Sequence, residues 1–524
     1  MANKNLFQTL RGALIAQATV RNDAGGAAYE LSPHAALARM AVTGCFGRTF
    51  YATPELQLER VLEAARQVDT DFLARTALYA RRKGFMKDMP ALLCAVLATR
   101  DLDRLAEIFP QVIDNGKMLR NFVQILRSGV TGRKSLGSAP KRLVRQWLER
   151  ASERQLVAAT VGNAPSLADV VKMVHPRPAD AGREAFYAWL LGKPWDAAAL
   201  PETLRAFEAW KLTREGEVPD VPFQMLTALD LGEREWAAIA GAASWQTTRM
   251  NLNTFARHGV FHFGGMAEKL AERLADPEQV RRARVFPYQL LVAYLNAGKE
   301  VPEKLREALQ DAMEISLSNV PAIDGSVVVC PDVSGSMHGP VSGYRKGSSS
   351  AVRCVDVAGL VAAAFLRKNR NARVIPFKED VVNLTLNPRD TVMTNATKLS
   401  SLPPGATDCS APLRLLNREK AVPDLVLFVS DKESWADPKA NRGTAMLTEW
   451  EKLKTRNPKA RLVCIDLVPN TTAQAPDRKD ILNIGGFSDA VFDLVAAFAA
   501  GADGSDHWIR EINLQPLTER MNTA

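Results

Sequence analysis

Four short apolar, β-branched runs in the C-terminal part constrain the fold of this chain more than any other feature. They are Ser326 to Cys330, Arg373 to Phe377, Asp424 to Ser430 and Arg461 to Val468. Helical patterns at Val352 to Lys368, Pro412 to Leu416, Thr444 to Lys454 and Ser488 to Ala500 lie between or after them. Strands that are apolar throughout, rather than alternating, are covered on both faces, and strands that alternate with helices pair in parallel. The pattern predicts a doubly wound α/β domain over residues 321–524, whose sites lie at the carboxyl ends of the strands.

Residues 1–320 carry no strand pattern. They read as helices of roughly 10 to 16 residues joined by Gly, Pro and Asp turns. Examples are Pro54 to Ala65, Asp71 to Arg82, Pro90 to Thr99, Leu102 to Val112 and Leu119 to Leu126. Helices at that density, with no strict sequence period, predict an irregular α-solenoid of stacked helical hairpins. The fold class is therefore α plus α/β.

The chemistry concentrates after the predicted strands. Asp332, Ser334 and Ser336 form a D-x-S-x-S loop after the first, Thr407 sits in a Pro-Pro-Gly-Ala-Thr-Asp loop, and Asp431 follows the strand ending at Ser430. Hydroxyl and carboxylate oxygens carrying little net charge suit a hard divalent cation, Mg²⁺ or Mn²⁺. Such a site leaves the ion able to accept an acidic ligand. A helix N-cap loop is the plainer reading of D-x-S-G-S taken alone. No G-x-S-x-G elbow occurs, and no histidine has a credible base role; His338 reads as an exposed loop residue. Two aspartates fit one ion rather than a two-metal nuclease centre, so the expectation is a binding protein and not an enzyme. The long loop carrying His338, Tyr344, Arg345, Lys346 and Ser348 to Ser350 is expected to roof or flank the metal.

Composition excludes other classes. The chain of 524 residues is 47% hydrophobic and 24% charged, which rules out a disordered or fibrous protein. Its longest apolar runs, such as Val357 to Leu366, fall well short of the ~18 residues of a membrane span. The N-terminal MANKNLFQTLRGAL lacks a secretory pattern, and a cytoplasmic location is expected. Cys45, Cys94, Cys330, Cys354, Cys409 and Cys464 are scattered without a C-x-x-C pair and read as buried, reduced thiols.

The net charge of +9 is uneven. Between positions 117 and 150 stand Lys117, Arg120, Arg127, Arg133, Lys134, Lys141, Arg142, Arg145 and Arg150 against the single acid Glu149. Clustered cations of this kind bind phosphate backbones by counterion release, although a solvated face is the commoner meaning of a charge run. Two weaker patches are Lys172/His175/Arg177 and Arg281/Arg282/Arg284. His258 and His262 lack the Glu of H-E-x-x-H and read as structural. Trp189, Trp195, Trp210, Trp236 and Trp245 read as core or groove anchors.

The motifs, taken together, resemble the Ro autoantigen family, in which a helical TROVE module precedes a von Willebrand factor A domain with a metal-ion-dependent adhesion site. The resemblance rests on residues 45–51, 169–178, 245–255 and 283–291 in the helical part. In the second domain it rests on Asp332 to Met337, Ala406 to Leu413, Val429 to Trp435 and Asp480 to Ala490. The Gly485-Gly-Phe-Ser-Asp wording is most similar to bacterial, Ro-related members. The resemblance implies a ring of HEAT-like repeats over 1–320, closed by the A domain over 321–524. It implies binding of small noncoding Y-type RNAs on a basic outer surface, and of misfolded or single-stranded RNA 3′ ends in a central hole. It further implies a scaffold role in RNA quality control, maturation or decay, with an exoribonuclease as partner. His175 occupies the place of a Y RNA-contacting histidine, with Met173 where that motif has Leu and with Lys172 and Arg177 beside it.

The candidate RNA contacts are thus Lys117, Arg120, Arg133, Lys134, Lys141, Arg142, Arg145, Lys172, His175 and Arg177. A ring closed within one chain implies a monomer. The competing reading is a metal-dependent protein-interaction adaptor that binds no RNA.

Overall fold

The computed structural model describes residues 16–44, 46–283, 287–317, 320–344, 352–434, 443–504 and 506–518. Cys45, Arg284, Arg345, Lys346, Ser348 to Ser350 and Trp435, singled out above, lie outside them, as does the stretch 1–15.

The C-terminal domain holds a five-stranded sheet: β1 (Val327–Pro331), β2 (Ala372–Val374), β3 (Leu425–Ser430), β4 (Arg461–Asp466) and β5 (Ile481–Gly485). All neighbours pair in parallel in the order β2-β1-β3-β4-β5. Each residue of β1, β3 and β5 is buried, which is why these strands read as unbroken apolar runs. The strand order reverses between β1 and β3, the crevice where doubly wound sheets place their ligands. β5 carries no unbroken apolar run, since Asn483, Gly485 and Gly486 interrupt it, and the sequence pattern does not show it as a strand.

The helical region begins differently from the sequence expectation. Val20–Arg21 and Ala27–Glu30 form a hairpin, and Tyr29 and Glu30 pair with Ala473 and Thr472 of the α/β domain. Strand pairs this short carry too few alternating positions to be legible in sequence. Helices follow from Pro33–Thr43 to Glu303–Ser316. Ser32, Thr53, Asp69, Asp101, Asn115, Ser152, Ser166 and Asp180 each cap a helix by accepting a first-turn amide, a contact that contributes about 1 kcal/mol.

A period absent from the residue types is present in the hydrogen bonds. Arg100 donates to the Val68 carbonyl, Arg133 to Ala98, Arg183 to Ala151 and Arg273 to Ala240, each reaching back 32 to 35 residues. Each guanidinium thereby satisfies carbonyls left open at or just beyond the end of an earlier helix. Ion pairs and hydrogen bonds at a spacing of 33 residues, Asp71 with Arg104, Arg81 with Asp114 and Asp88 with Asn121, run alongside. Stacked helical hairpins with this spacing form the solenoid.

The array meets the α/β domain at both ends. The Pro33–Thr43 helix packs on β5, while Pro287–Leu295 packs on the Cys354–Lys368 helix and Glu303–Ser316 on Val392–Ser400. Glu314 accepts the Val392 amide at 3.0 Å. The last described helix, His507–Asn513, returns to Thr70–Arg82, where Trp508 meets Tyr79 edge-on and Arg75 holds the Gln515 carbonyl. Cys94, Cys330, Cys354, Cys409 and Cys464 are all buried. Among the described residues, no helix is long and apolar enough to cross a membrane.

Candidate metal centre and basic face

Asp332 follows β1 and Asp431 follows β3, so the two carboxylates meet at the point where the strand order reverses. Both are buried, at 0% and 2% exposure. Asp332 accepts the Ser334 amide at 2.8 Å through Oδ1 and the Ser430 hydroxyl at 2.6 Å through Oδ2. The Ser334 and Ser336 hydroxyls lie 3.3 Å apart. Gly335 donates its amide to the Gly405 carbonyl at 2.7 Å, which brings the Thr407 loop against the D-x-S-x-S loop. The Ser434 hydroxyl fixes the far side of that loop through the Thr407 carbonyl at 3.4 Å. All five metal-site residues expected from the sequence are therefore buried around one strand-end crevice.

Electrostatics set the chemistry of this crevice. Burial, opposed by hydrogen bonds from Ser334 and Ser430, raises the Asp332 pKa. Burial and then the field of Asp332 raise that of Asp431. Two carboxylates in one desolvated site favour a proton or a cation between them. The donor set of two carboxylates and three hydroxyls fits one hard divalent ion. Among the described residues, no group of three or more His, Cys, Asp or Glu that could hold a metal ion is present, so an ion here would depend on the hydroxyl oxygens beside the two carboxylates.

Several residues at this crevice were not assigned from the sequence. Glu433 is 1% exposed, accepts the Ala24 amide at 3.1 Å, and has its pKa pushed up to about 8 by burial and then by Asp431. Asn470 donates to the Asp431 carbonyl at 2.7 Å. Tyr51 lines the same cavity as Ser336 and Asp431, and burial, then the field of Asp431, raises the pKa of its hydroxyl. Tyr51 and Glu433 both lie inside motifs that carried the family resemblance, which was the available signal. His338 is half-buried, its Nδ1 3.1 Å from the Ser334 carbonyl, rather than exposed as expected.

The basic segment packs around one short helix. The helices Gly116–Arg127 and Ser138–Arg150 both pack against Leu167–Val174. Arg127 and Lys172 thereby face a shared groove of about 770 Å³ that Gln124, Ser128, Pro165 and Met173 also line. Lys117, Arg127, Lys134, Arg142, Lys172, His175 and Arg177 are exposed, and Lys141 is half-buried. His175 stands just past the end of its helix with φ at 49°, beside the Val174 carbonyl that Arg145 holds.

Three of the candidate contacts do structural work. Arg120 is 9% exposed and donates to the Gly116 carbonyl, wedged against Gly162, where an added Cβ would fall 2.1 Å from its guanidinium. Arg133 and Arg145 are half-buried donors to the carbonyls of Ala98 and Val174. Trp210, Trp236 and Trp245 are buried as expected, whereas Trp195 is 42% exposed. His258 stacks on Trp236 with ring centroids 4.1 Å apart, in keeping with a structural role.

Comparison with known proteins agrees with the motifs. Residues 326–499 match the Ro60 vWA domain. The RNA-binding protein RO60 of Deinococcus radiodurans is 28% identical over 92% of this chain and 95% of its own length. The RNA-binding protein RO60 of Caenorhabditis elegans is 23% identical over 45% of this chain and 37% of its own. The crystal structure of the Deinococcus radiodurans RO (RSR) protein matches with a TM-score of 0.60 and 24% identity, covering 90% of this chain and 100% of that one. The resemblance to Ro proteins thus holds for sequence and fold over most of the chain.

Proposed function

We propose that this Ro-like chain binds RNA without cutting it, and that its helical array presents the basic face to the phosphate backbone. The observation that carries this reading is the packing of the Gly116–Arg127 and Ser138–Arg150 helices on Leu167–Val174, which sets Arg127 and Lys172 on one groove, with Lys117, Lys134, Lys141, Arg142, His175 and Arg177 on these helices or on the loops beside them. Cations separated by up to 60 positions in the sequence would then act as one polyanion site, steering and holding RNA by counterion release. Arg120, Arg133 and Arg145 hold that face in shape. Structured RNA is read by shape and phosphate rather than by base edges, which fits small noncoding Y-type RNAs. Single-stranded or misfolded 3′ ends would be further ligands, and an exoribonuclease the protein partner, in RNA quality control, maturation or decay. The chain works as a cytoplasmic monomer in this reading.

Asp332, Ser334, Ser336, Thr407 and Asp431 would hold one divalent cation, Mg²⁺ or Mn²⁺. The ion would supply the positive charge that two buried carboxylates lack.

The test is to purify the protein from its own host in mild salt and to sequence the nucleic acid that comes with it. A few small structured RNAs, released as salt rises, are expected. Protein that carries no nucleic acid and fails to bind structured RNA at low salt would sink the reading and leave the metal-dependent adaptor.

A further inference from the structure

The crevice beside Ser336 and Asp431 is walled by the helical region. A cavity of about 20 Å³ lies there, room for about one water-sized sphere, and Asp23, Tyr51 and Arg60 line it together with Ser336, Asp431 and Glu433. The first three come from the N-terminal hairpin, the segment after the Pro33–Thr43 helix, and the Pro54–Gln67 helix. They are held in place by specific contacts. Asp23 makes a two-pronged pair with Arg60 at 2.7 and 2.9 Å. Asn22 donates to the Ser434 carbonyl at 2.8 Å, and Ala24 to Glu433.

The segment carrying Tyr51 is seated on the loop that follows the D-x-S-x-S motif. Tyr344 donates its amide to the Arg48 carbonyl at 2.8 Å. Gly47 and Gly343 cross so closely that a Cβ on Gly47 would fall 2.8 Å from the Ser342 carbonyl oxygen, and one on Gly343 would fall 2.6 Å from Gly47. Gly343 also has φ at 71°, so glycine suits it twice over. Gln57 fixes the other side by donating to the Gly47 carbonyl at 2.7 Å.

We propose that the helical region itself completes this metal site: Tyr51 takes the place outside Ser336 and Asp431 that an external acidic ligand would need, and a bound divalent cation clasps the helical array onto the α/β domain. The inference rests on the metal reading given above. A cavity with room for one small sphere admits an ion or a water, not the carboxylate of another protein. The wall has to move for such a ligand to enter. Cation binding and closure of the two regions are thereby linked, each favouring the other by the same factor.

The experiment uses the full chain and Mn²⁺ as the probe. Binding is read from the free-ion electron paramagnetic resonance signal, and closure from amide hydrogen exchange over residues 46–53 and 339–344. Saturating Mn²⁺ is expected to slow exchange in both segments by about tenfold. The Tyr51→Phe variant keeps the ring and the fold, and is expected to bind Mn²⁺ several-fold more weakly and to lose most of the slowing. If the wild-type protein binds Mn²⁺ while exchange in both segments stays unchanged, the clasp is wrong and the metal site stands. If Tyr51→Phe matches wild type in both readouts, Tyr51 is not the closing residue and the proposal falls. Absence of Mn²⁺ binding by the wild-type protein would remove the metal reading and the clasp together.

Discussion

Arg39, on the first helix of the array, is ion-paired with Asp466, the last residue of β4, and neither side chain is more than 1% exposed. Lys432 approaches the same carboxylate at 3.1 Å and also donates to Asn483 at 3.1 Å. Arg39 reaches on to the Asn470 side chain at 2.6 Å and the Thr472 carbonyl at 2.7 Å. The contact to Asp466 is ionic rather than directional, since neither carboxylate oxygen has an aligned hydrogen bond among the described residues. One arginine therefore joins the helical region to the sheet end that carries the metal crevice.

Replacing Arg39 with Met leaves Asp466 buried with Lys432 alone. Breaking a buried pair from one side typically costs about 3–5 kcal/mol, and the remaining Lys432 places the expected loss near the lower end. Urea denaturation of Arg39→Met checks this. A loss below about 0.5 kcal/mol would show that the contact does not hold the two regions together.

The basic face separates into two kinds of cation. Lys134→Gln and Arg142→Gln are expected to weaken RNA binding and lower its salt dependence, with thermal stability unchanged. Arg120→Gln is expected to behave oppositely: its guanidinium fills the space beside Gly162, so the variant melts earlier while the salt dependence of RNA binding stays that of wild type. Melting curves and filter binding on the same preparations distinguish the two.

Asp332→Asn removes one of the two buried charges from the crevice. Divalent cation binding is expected to be lost, and the cation-free protein is expected to be no less stable, because burial already disfavours the Asp332 charge. Calorimetric titration with Mg²⁺ or Mn²⁺, beside a melt in chelator, reads both. Unchanged cation affinity would remove Asp332 from the site.

His507, at the start of the returning C-terminal helix, has its pKa lowered by burial. A depressed folded-state value means that its contribution to stability is complete above the unfolded value of about 6.5 and is lost as pH falls through the folded one. Docking of residues 507–517 on the Thr70–Arg82 helix should accordingly loosen as pH falls below about 6.5. Limited proteolysis or hydrogen exchange across that range checks it, and His507→Gln should flatten the change.

The parts legible in the sequence are those that local pattern determines. Unbroken apolar runs gave β1, β3 and β4, and helical spacing between Gly, Pro and Asp turns gave the solenoid. The placement of Asp332, Thr407 and Asp431 after strands or in neighbouring loops followed from doubly wound topology. What stayed hidden depends on long-range contact. The hairpin at Val20–Arg21 and Ala27–Glu30 exists because Thr472 and Ala473 pair with it more than 400 positions away. Arg120 and Arg133 look like any other cations of their segment until the carbonyls of Gly116 and Ala98 are placed beside them. Tyr51 becomes part of the crevice only when the helical region folds against the α/β domain, while Glu433, two residues past Asp431, meets that region through the Ala24 amide.

The central claim, that Arg127, Lys172 and Arg177 act as one phosphate-binding face, is tested most directly by filter binding of a small structured RNA across a salt series. The wild-type chain is compared with the triple variant Arg127→Gln/Lys172→Gln/Arg177→Gln. Wild-type affinity should fall linearly in log–log form as salt rises, and the variant should bind more weakly with a slope shallower by about 2 to 3. A variant with the wild-type slope, or a wild-type chain that fails to bind at low salt, would contradict the account.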